Sequence, residues 1–125
     1  MQDQAVTVPS PYISAYSRFL NLTAAIGLLP GMERFGVNEK ALFEAVLLAW
    51  SRQAPLTVRQ LIGIEQLGSP ATLHKRLSRL RSMGLVDAAS DAHDRRTKYL
   101  LPTAKGLDYA QLLGQACAST FELQI

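Results

Sequence analysis

The sequence has little of what disulfide-bonded, exported or membrane-spanning proteins require. Its 125 residues include one cysteine, Cys117, which excludes an intramolecular disulfide and a multi-cysteine metal site. The first ten residues contain no lysine or arginine, whereas a secretory signal starts with basic residues before an apolar run. The longest apolar stretches, Phe19 to Met32 and Ala41 to Trp50, are too short to cross a bilayer. We therefore expect a cytoplasmic protein with no membrane partner.

Motifs that carry catalysis are also missing. The sequence has no glycine-rich phosphate loop, no recognisable pair of catalytic carboxylates and no nucleophile with a histidine at a known spacing. The candidate metal ligands His74, His93, Asp91 and Cys117 belong to separate predicted elements, and no sequence spacing brings them together. These absences favour a protein that is not an enzyme and that has no cofactor and no metal.

Positive charge is concentrated in one part of the chain. Residues 57–102 contain eight basic and four acidic side chains, a charge of +4, whereas the remaining residues sum to −1. An uneven distribution of this kind indicates a polyanionic partner.

The length predicts a single domain with one core. We expect a disordered tail over residues 1–10 and the domain over residues 11–125. Ser10 and Pro11 have the N-cap and first-turn signature of a helix, which we extend from Tyr12 to Leu29, and a second helix is predicted from Asn38 to Gln53. The first helix is apolar on almost every face, so its tyrosines and its phenylalanine are expected in the core and in an interface.

A helix-turn-helix is predicted over about residues 57–84. Thr57 and Gln60 have the spacing of a capping box, which starts a third helix from Val58 to Gln66. Gly68 breaks that helix, and Ser69 with Pro70 starts a fourth one almost immediately.

The fourth helix has one apolar and one basic face. Its apolar stripe comprises Leu73, Leu77, Leu80 and Gly84, and the opposite side carries Ala71, Lys75, Ser78 and Arg79. Between Ser69 and Gly84 there are four basic residues and no acidic one, whereas an ordinary solvated helix surface mixes both signs. A solvated basic face is the weaker alternative.

Residues 85–102 are predicted to form a hairpin with a charged, projecting tip at Asp91 to Arg96. Thr103 then caps a last helix from Ala104 to about Leu123, with Leu107, Leu113 and Cys117 on its apolar stripe. On this stripe, Cys117 is expected to pack in the core and not to act as a redox sensor.

This order of elements is mainly α with a small β-hairpin, a winged helix-turn-helix in which the hairpin is the wing. The segments Leu73-His-Lys-Arg-Leu-Ser-Arg-Leu-Arg-Ser-Met-Gly-Leu-Val86, Asp94-Arg-Arg96 and Leu101-Pro-Thr-Ala-Lys-Gly106 resemble the multiple-antibiotic-resistance regulator (MarR) family, and the flanking helices fit its layout. The resemblance implies a bacterial, homodimeric transcription regulator, usually a repressor, that binds double-stranded DNA. It also implies release from DNA by a small aromatic ligand in many members.

By this resemblance, Thr72, His74 and Lys75 in the early part of the fourth helix lie near base edges and the wing enters the neighbouring groove. We expect Arg79 to lie nearer the DNA backbone. His74 stands where the family commonly has a small hydroxyl residue, so its alternative is a solvated histidine. Adjacent residues of an extended segment point in opposite directions, so we expect one of the wing arginines to enter a groove and the other to lie along its flank, and the family pattern selects Arg96 for the groove. Asp94 is assigned to orient an arginine and to fix the hairpin, and the alternative for the tip is a solvated turn. The residues assigned to the DNA interface are Ser69, Ala71, Thr72, His74, Lys75, Arg79, Asp94, Arg95 and Arg96.

Two further expectations concern assembly and function. The surplus apolar surface of the first and last helices predicts dimerisation through them, and many relatives continue with a further C-terminal helix, which leaves the dimer geometry open. The alternatives to a ligand-controlled regulator are a DNA-binding protein without an effector and a winged helix that binds another protein.

Overall fold

The computed structural model describes residues 10–122, the last two by their backbone alone, so residues 1–9 of the tail predicted over residues 1–10 lie outside the described residues. Five α-helices and one antiparallel hairpin follow each other along the chain. They are α1 (Pro11–Gly27), α2 (Val37–Ser51), α3 (Val58–Ile62), α4 (Pro70–Ser82), β1 (Val86–Ser90), β2 (Lys98–Pro102) and α5 (Ala104–Glu122). The mainly α fold with a hairpin after the fourth helix is confirmed.

The described chain forms two compact units. The first, here called the winged-helix unit, comprises residues 30–109 and contains α2, α3, α4, the hairpin and the start of α5. The second, the helical unit, comprises α1 with residues up to 29 and the part of α5 from residue 110 onward. None of the helices in the described range is long and apolar enough to cross a membrane.

The core of the winged-helix unit is built from leucines of three helices and the base of the hairpin. α4 contributes the three leucines of its predicted stripe, since Leu73, Leu77 and Leu80 are all buried, whereas Gly84, predicted on the same stripe, lies beyond the helix end at Ser82 with a φ of 75°. The other buried members are Leu42, Phe43 and Val46 of α2, Leu61 of α3, and Leu85, Val86 and Leu100 at the hairpin. Burial of this one cluster holds α4 with its opposite face outward.

Local capping signals place the helix starts. The Ser10 hydroxyl accepts a hydrogen bond from the Ile13 amide at 3.2 Å at the start of α1. At α3, the Thr57 amide donates to the Gln60 side chain at 2.9 Å, and the Gln60 amide donates to the Thr57 hydroxyl at 3.1 Å. Both predicted starts are confirmed, because a cap depends on residues three apart in the chain.

Several helix boundaries differ from the prediction. α1 ends at Gly27 and not at Leu29, and α2 ends at Ser51 and not at Gln53. α3 ends at Ile62 and not at Gln66, because the Gly63 amide closes the last turn onto the Arg59 and Gln60 carbonyls and a short 3₁₀ turn over Glu65–Leu67 follows. α2 begins at Val37, one residue earlier than expected, with Gly36 at its N-cap. The Gly36 amide donates to the Glu39 carboxylate at 3.0 Å, so the side chain that caps this helix lies inside it.

α5 starts where Thr103 ties it to the base of the hairpin. The Thr103 hydroxyl accepts from the Gly106 amide at 3.0 Å and donates to the Gly84 carbonyl, while the Thr103 amide donates to the Leu85 carbonyl at 3.1 Å. Gly106 is buried against this contact. A Cβ at Gly106 would overlap the Leu85 carbonyl oxygen and lie 3.0 Å from the Phe43 ring, so only glycine fits.

Three aromatic rings pack edge to face beside this contact. Tyr109 lies 5.1 Å from Phe35 and 5.6 Å from Phe43, measured between ring centroids. Burial, with a smaller contribution from the charge of Glu44, raises the pKa of the Tyr109 hydroxyl. The first turns of α5 are thereby fixed to α2 within the winged-helix unit.

The helical unit exposes much of its apolar surface. No residue of α1 is buried, and Tyr12 and Tyr16 are 77% and 62% exposed, so their predicted place in a core is wrong and their place in an interface stays a prediction. Cys117 is also exposed, contrary to the expectation of core packing. α5 buries Ala116 and Thr120 here instead, which points Cys117 about 100° away from the packed face.

Candidate nucleic-acid interface

The start of α4 is an exposed helix N-terminus capped as predicted. The Ser69 hydroxyl accepts from the Thr72 amide at 3.3 Å and donates to the Thr72 hydroxyl oxygen at 2.9 Å. Because the Thr72 oxygen accepts this bond, its own proton stays available for another acceptor. Pro70 at the first helical position has no amide to satisfy.

One face of α4 is exposed along its first two turns. Ala71, His74, Lys75 and Ser78 are exposed and Thr72 is half-buried on the flank. Within the described part of the chain, neither His74 nor Lys75 has a hydrogen-bond or ion-pair partner. The early helix positions assigned to base contacts therefore lie on one accessible surface.

The other basic residues of α4 are engaged inside the molecule. The Arg76 guanidinium donates to the Leu67 carbonyl at 3.0 Å, and Arg81 lies 3.6 Å from the Asp87 carboxylate in an exposed pair. Arg79 donates to the Glu39 carboxylate at 2.7 Å. Of the four basic residues counted between Ser69 and Gly84, three therefore have partners, and Lys75 has none within residues 10–122.

The Glu39–Arg79 pair joins α2 to α4. The Glu39 side chain is 7% exposed and that of Arg79 is 32% exposed. Burial would raise the pKa of the Glu39 carboxyl, but the hydrogen bond from Arg79 and those from backbone amides outweigh it and hold the pKa below its usual value. The sequence assigned Arg79 to the DNA backbone, and the structure gives it an internal carboxylate as a partner.

Arg76 has a structural position at the turn of the helix-turn-helix. Its guanidinium holds the last carbonyl of the 3₁₀ turn, directly before Gly68. Gly68 has φ of 143°, a backbone conformation that L side chains rarely adopt. This glycine and this arginine together set the angle at which the chain enters α4.

The wing is a regular hairpin with a seven-residue tip. β1 and β2 pair from Val86 with Pro102 to Ser90 with Lys98. In the tip, Asp91 accepts from the amides of His93 and Asp94, and Asp94 accepts from the Arg96 amide at 3.0 Å and the Thr97 hydroxyl at 3.1 Å. The carboxylates thus brace the tip, in agreement with the hairpin-fixing role assigned to Asp94.

The geometry of the two wing arginines differs from the expectation. The strand-like alternation assumed for Arg95 and Arg96 is wrong, because both lie within a turn closed by the Thr97 amide on the Asp94 carbonyl at 3.0 Å. Alternation applies to extended backbone and not to a turn. The Arg96 side chain is 96% exposed, with its Nε 3.8 Å from the Asp94 carboxylate, and Arg95 is exposed beside it.

A short segment before α3 extends the wing sheet. The Leu100 amide donates to the Leu56 carbonyl at 2.8 Å, and Thr57 forms an antiparallel bridge with Tyr99. The residues that start α3 are therefore hydrogen-bonded to the second strand of the wing.

A polar cleft of about 510 Å³ lies where α3 meets the wing. Its lining residues are Thr57, Val58, Arg59, Asp94, Arg96, Thr97 and Lys98. Arg59 and Lys98 were not among the assigned interface residues, although both belong to the basic segment. Arg59 lies on the α3 side of this cleft and Lys98 lies on the wing side. The pairing of Thr57 with Tyr99 brings these two cations to one cleft, so the sequence alone does not show that they belong together.

The described residues provide no group of three or more histidine, cysteine, aspartate or glutamate side chains arranged to hold a metal ion. Asp91 and His93 are instead joined by a hydrogen bond within the wing tip, from the His93 amide to the Asp91 carboxylate at 2.9 Å.

No protein-family model and no curated protein matches the chain. Solved structures do match. MepR of S. aureus, solved in complex with DNA, is 17% identical, with a TM-score of 0.62 covering 92% of this chain and 89% of MepR. The PcaV transcriptional regulator from Streptomyces coelicolor, solved with its natural ligand, is 20% identical, with a TM-score of 0.52 over 98% of this chain and 82% of PcaV. MarR is 19% identical, with a TM-score of 0.53 over 91% of this chain and 80% of MarR. The chain therefore has the winged-helix fold of MarR-type transcription regulators.

Proposed function

We propose that this protein is a sequence-specific double-stranded DNA-binding transcription regulator of the MarR type, without enzymatic activity. The observation that carries the proposal is the exposed face of α4, where His74 and Lys75 are uncommitted, in the same compact unit as a wing with a 96% exposed arginine. The DNA-bound state of MepR, a neighbour in fold, supports the same role.

In this proposal α4 enters the major groove. Thr72, His74 and Lys75 face base edges next to the small side chain of Ala71, and Lys75 reads a guanine. The exposed start of α4 at Ser69 meets a phosphate through the Ala71 amide and the positive end of the helix dipole, since Pro70 has no amide and the Thr72 amide is bonded to Ser69.

The wing enters the adjacent minor groove through Arg96. Its guanidinium carries a permanent, weakly hydrated charge, which suits the strongly negative potential of a narrow groove. The choice of Arg96 over Arg95 rests on the family pattern alone, and Asp94 keeps the tip in shape. Arg59 and Lys98, on the cleft beside the wing, contact the phosphate backbone.

The test is a binding assay on duplexes selected from random sequence. Lys75→Ala should change the discrimination between the selected and unrelated duplexes by about 1–3 kcal/mol. Arg18→Ala, which removes an exposed cation from α1 in the helical unit, is the matched control and should leave discrimination unchanged. If the wild-type protein selects no sequence and shows no salt-dependent binding, the proposal is wrong and the protein-binding alternative takes its place.

We further propose that the protein acts as a homodimer on a pseudo-palindromic site. The helical unit presents an apolar groove of about 440 Å³, lined mainly by Leu22, Ile26, Leu29 and Leu112, and α1 exposes Tyr12 and Tyr16 nearby in sequence. A single DNA-binding module buries only about 600–1,000 Å² of its own surface against DNA, so tight binding needs a second copy. A monomeric mass by light scattering at micromolar concentration, with and without DNA, would contradict this.

Repression with release by a small aromatic effector is the remaining part of the proposal. Its support is the resemblance in sequence and the ligand-bound structure of PcaV, a protein of the same fold. Phenolic acids should raise the melting temperature of the protein and weaken its binding to DNA. If neither quantity changes across a panel of them, regulation without an effector is the better hypothesis.

A further inference from the structure

The charged guanidinium of Arg79 in α4 is paired with the Glu39 carboxylate inside the protein. We propose that Glu39 withholds Arg79 from DNA and so limits the sequence-independent part of the binding, which makes Glu39 a specificity-determining positioning residue. This inference rests on the proposed function, because it concerns how α4 meets DNA.

The carboxylate of Glu39 is fixed on both of its oxygens. One oxygen accepts from the Gly36 amide at 3.0 Å and the other accepts from the Arg79 guanidinium at 2.7 Å. Glu39 lies in the first turn of α2, where the helix dipole also favours a negative charge. The acceptor that holds Arg79 is thus rigid and fully ionised near neutral pH.

Arg79 is within reach of the DNA-facing surface. It follows Lys75 by four residues, so the two side chains are neighbours on α4 with Cβ atoms about 5–6 Å apart. Its side chain is one-third exposed, which leaves a path to solvent. A guanidinium that turned away from Glu39 could therefore contact a phosphate close to Lys75.

The exchange of partners is unfavourable in the wild-type protein. If Arg79 moved to a phosphate, the Glu39 carboxylate would stay buried without its cation, and an unpaired buried charge is costly. For Arg79, the ion pair with Glu39 is therefore more favourable than a solvent-screened contact with a phosphate. Phosphate contacts carry no sequence information, so withholding one lowers the affinity for all sequences. The base contacts of Lys75 then contribute a larger fraction of the binding free energy.

The test compares salt slopes on a fluorescein-labelled duplex of random sequence, followed by fluorescence anisotropy. Glu39→Gln removes the charge and keeps the size, and its amide has one acceptor oxygen for the two donors that Glu39 serves. The slope of log affinity against log salt should become more negative by about 0.9 per bound subunit. The affinity ratio between about 50 and 200 mM salt should then grow by about 3.5-fold per subunit.

Arg79→Ala and the double variant separate release of an arginine from loss of structure. Arg79→Ala alone should leave the slope at the wild-type value, and the double variant should lose the steepening seen in Glu39→Gln. Circular dichroism of each variant reports folding. A misfolded variant cannot produce a steeper slope that a second substitution in α4 removes.

The inference fails in two recognisable ways. An unchanged slope in Glu39→Gln means that the freed guanidinium does not reach DNA, and a flatter slope in Arg79→Ala means that Arg79 already contacts a phosphate. Either result overturns the inference and leaves the proposed function standing. Absence of all DNA binding by the wild-type protein overturns the proposed function, and this inference with it.

Discussion

Two glycines of the same helix should respond in opposite ways to the same substitution. Gly106 and Gly114 both lie in α5, where alanine is intrinsically more favourable than glycine by about 1 kcal/mol. A Cβ added at Gly114 meets nothing within 4 Å, so Gly114→Ala should gain up to about 1 kcal/mol. It serves as the matched control.

At Gly106 the same methyl group collides with fixed atoms. The Leu85 carbonyl oxygen in its way is backbone and accepts the Thr103 amide at 3.1 Å, and the Phe43 ring on the other side is buried. Overpacking of a core costs about 1–3 kcal/mol, and because neither neighbour can rotate away we expect the upper end of that range. After the gain of about 1 kcal/mol in helix propensity, Gly106→Ala should lose about 2 kcal/mol.

Thermal unfolding at one protein concentration measures both changes. For a chain of this length about 1 kcal/mol corresponds to roughly 4 °C, so Gly106→Ala should melt about 8 °C lower and Gly114→Ala about 4 °C higher than the wild-type protein. A Gly106→Ala variant as stable as the wild type would refute the close approach of α5 to the base of the wing.

Three other results are expected. The pKa of Glu39 is lowered in the folded protein, so its stabilising contribution is present above pH 4.5 and is lost as the pH falls through the folded pKa; urea unfolding across this range should show a shallower acid loss for Glu39→Gln than for the wild type. Arg59→Ala should weaken binding to all duplexes alike and make the salt slope less negative by about 0.9 per subunit, and a sequence-dependent loss would contradict a backbone contact. Arg96→Ala should lose more affinity on sites with A-T-rich flanks than on G-C-rich ones, whereas Arg95→Ala should show little dependence on the flank, and binding unchanged by both would remove the wing from the interface.

The features that the sequence predicts well are those that depend on residues close together in the chain. The caps at Ser10, Thr57 and Ser69 and the buried leucine stripe of α4 follow from spacings of three and four residues, and the structure has each of them. Gly63 shows the limit of such reasoning, since a glycine within a helical pattern is compatible both with a continuing helix and with a helix end, and α3 ends there.

The features that were missed depend on residues far apart in the chain. Glu39 and Arg79 are separated by 40 residues. The sequence therefore shows how many basic residues α4 has, but not which of them have a partner inside the protein. Cys117 was placed on a packed stripe because periodicity identifies an apolar face without saying what covers it. The predicted directions of the wing arginines are wrong for a different reason, since the alternation of side chains along a strand does not apply to a turn.

The hydrogen bond from the Leu100 amide to the Leu56 carbonyl has a consequence for the DNA as well as for the protein. It ties the wing to the chain that leads into α3, so the wing and the helix-turn-helix keep a constant separation when they meet a duplex. In the proposed complex it is then the DNA that must adjust, because its groove widths and local bending have to match that separation. Duplexes that differ only at uncontacted steps between the two grooves should therefore bind with different strengths, in the order of their flexibility.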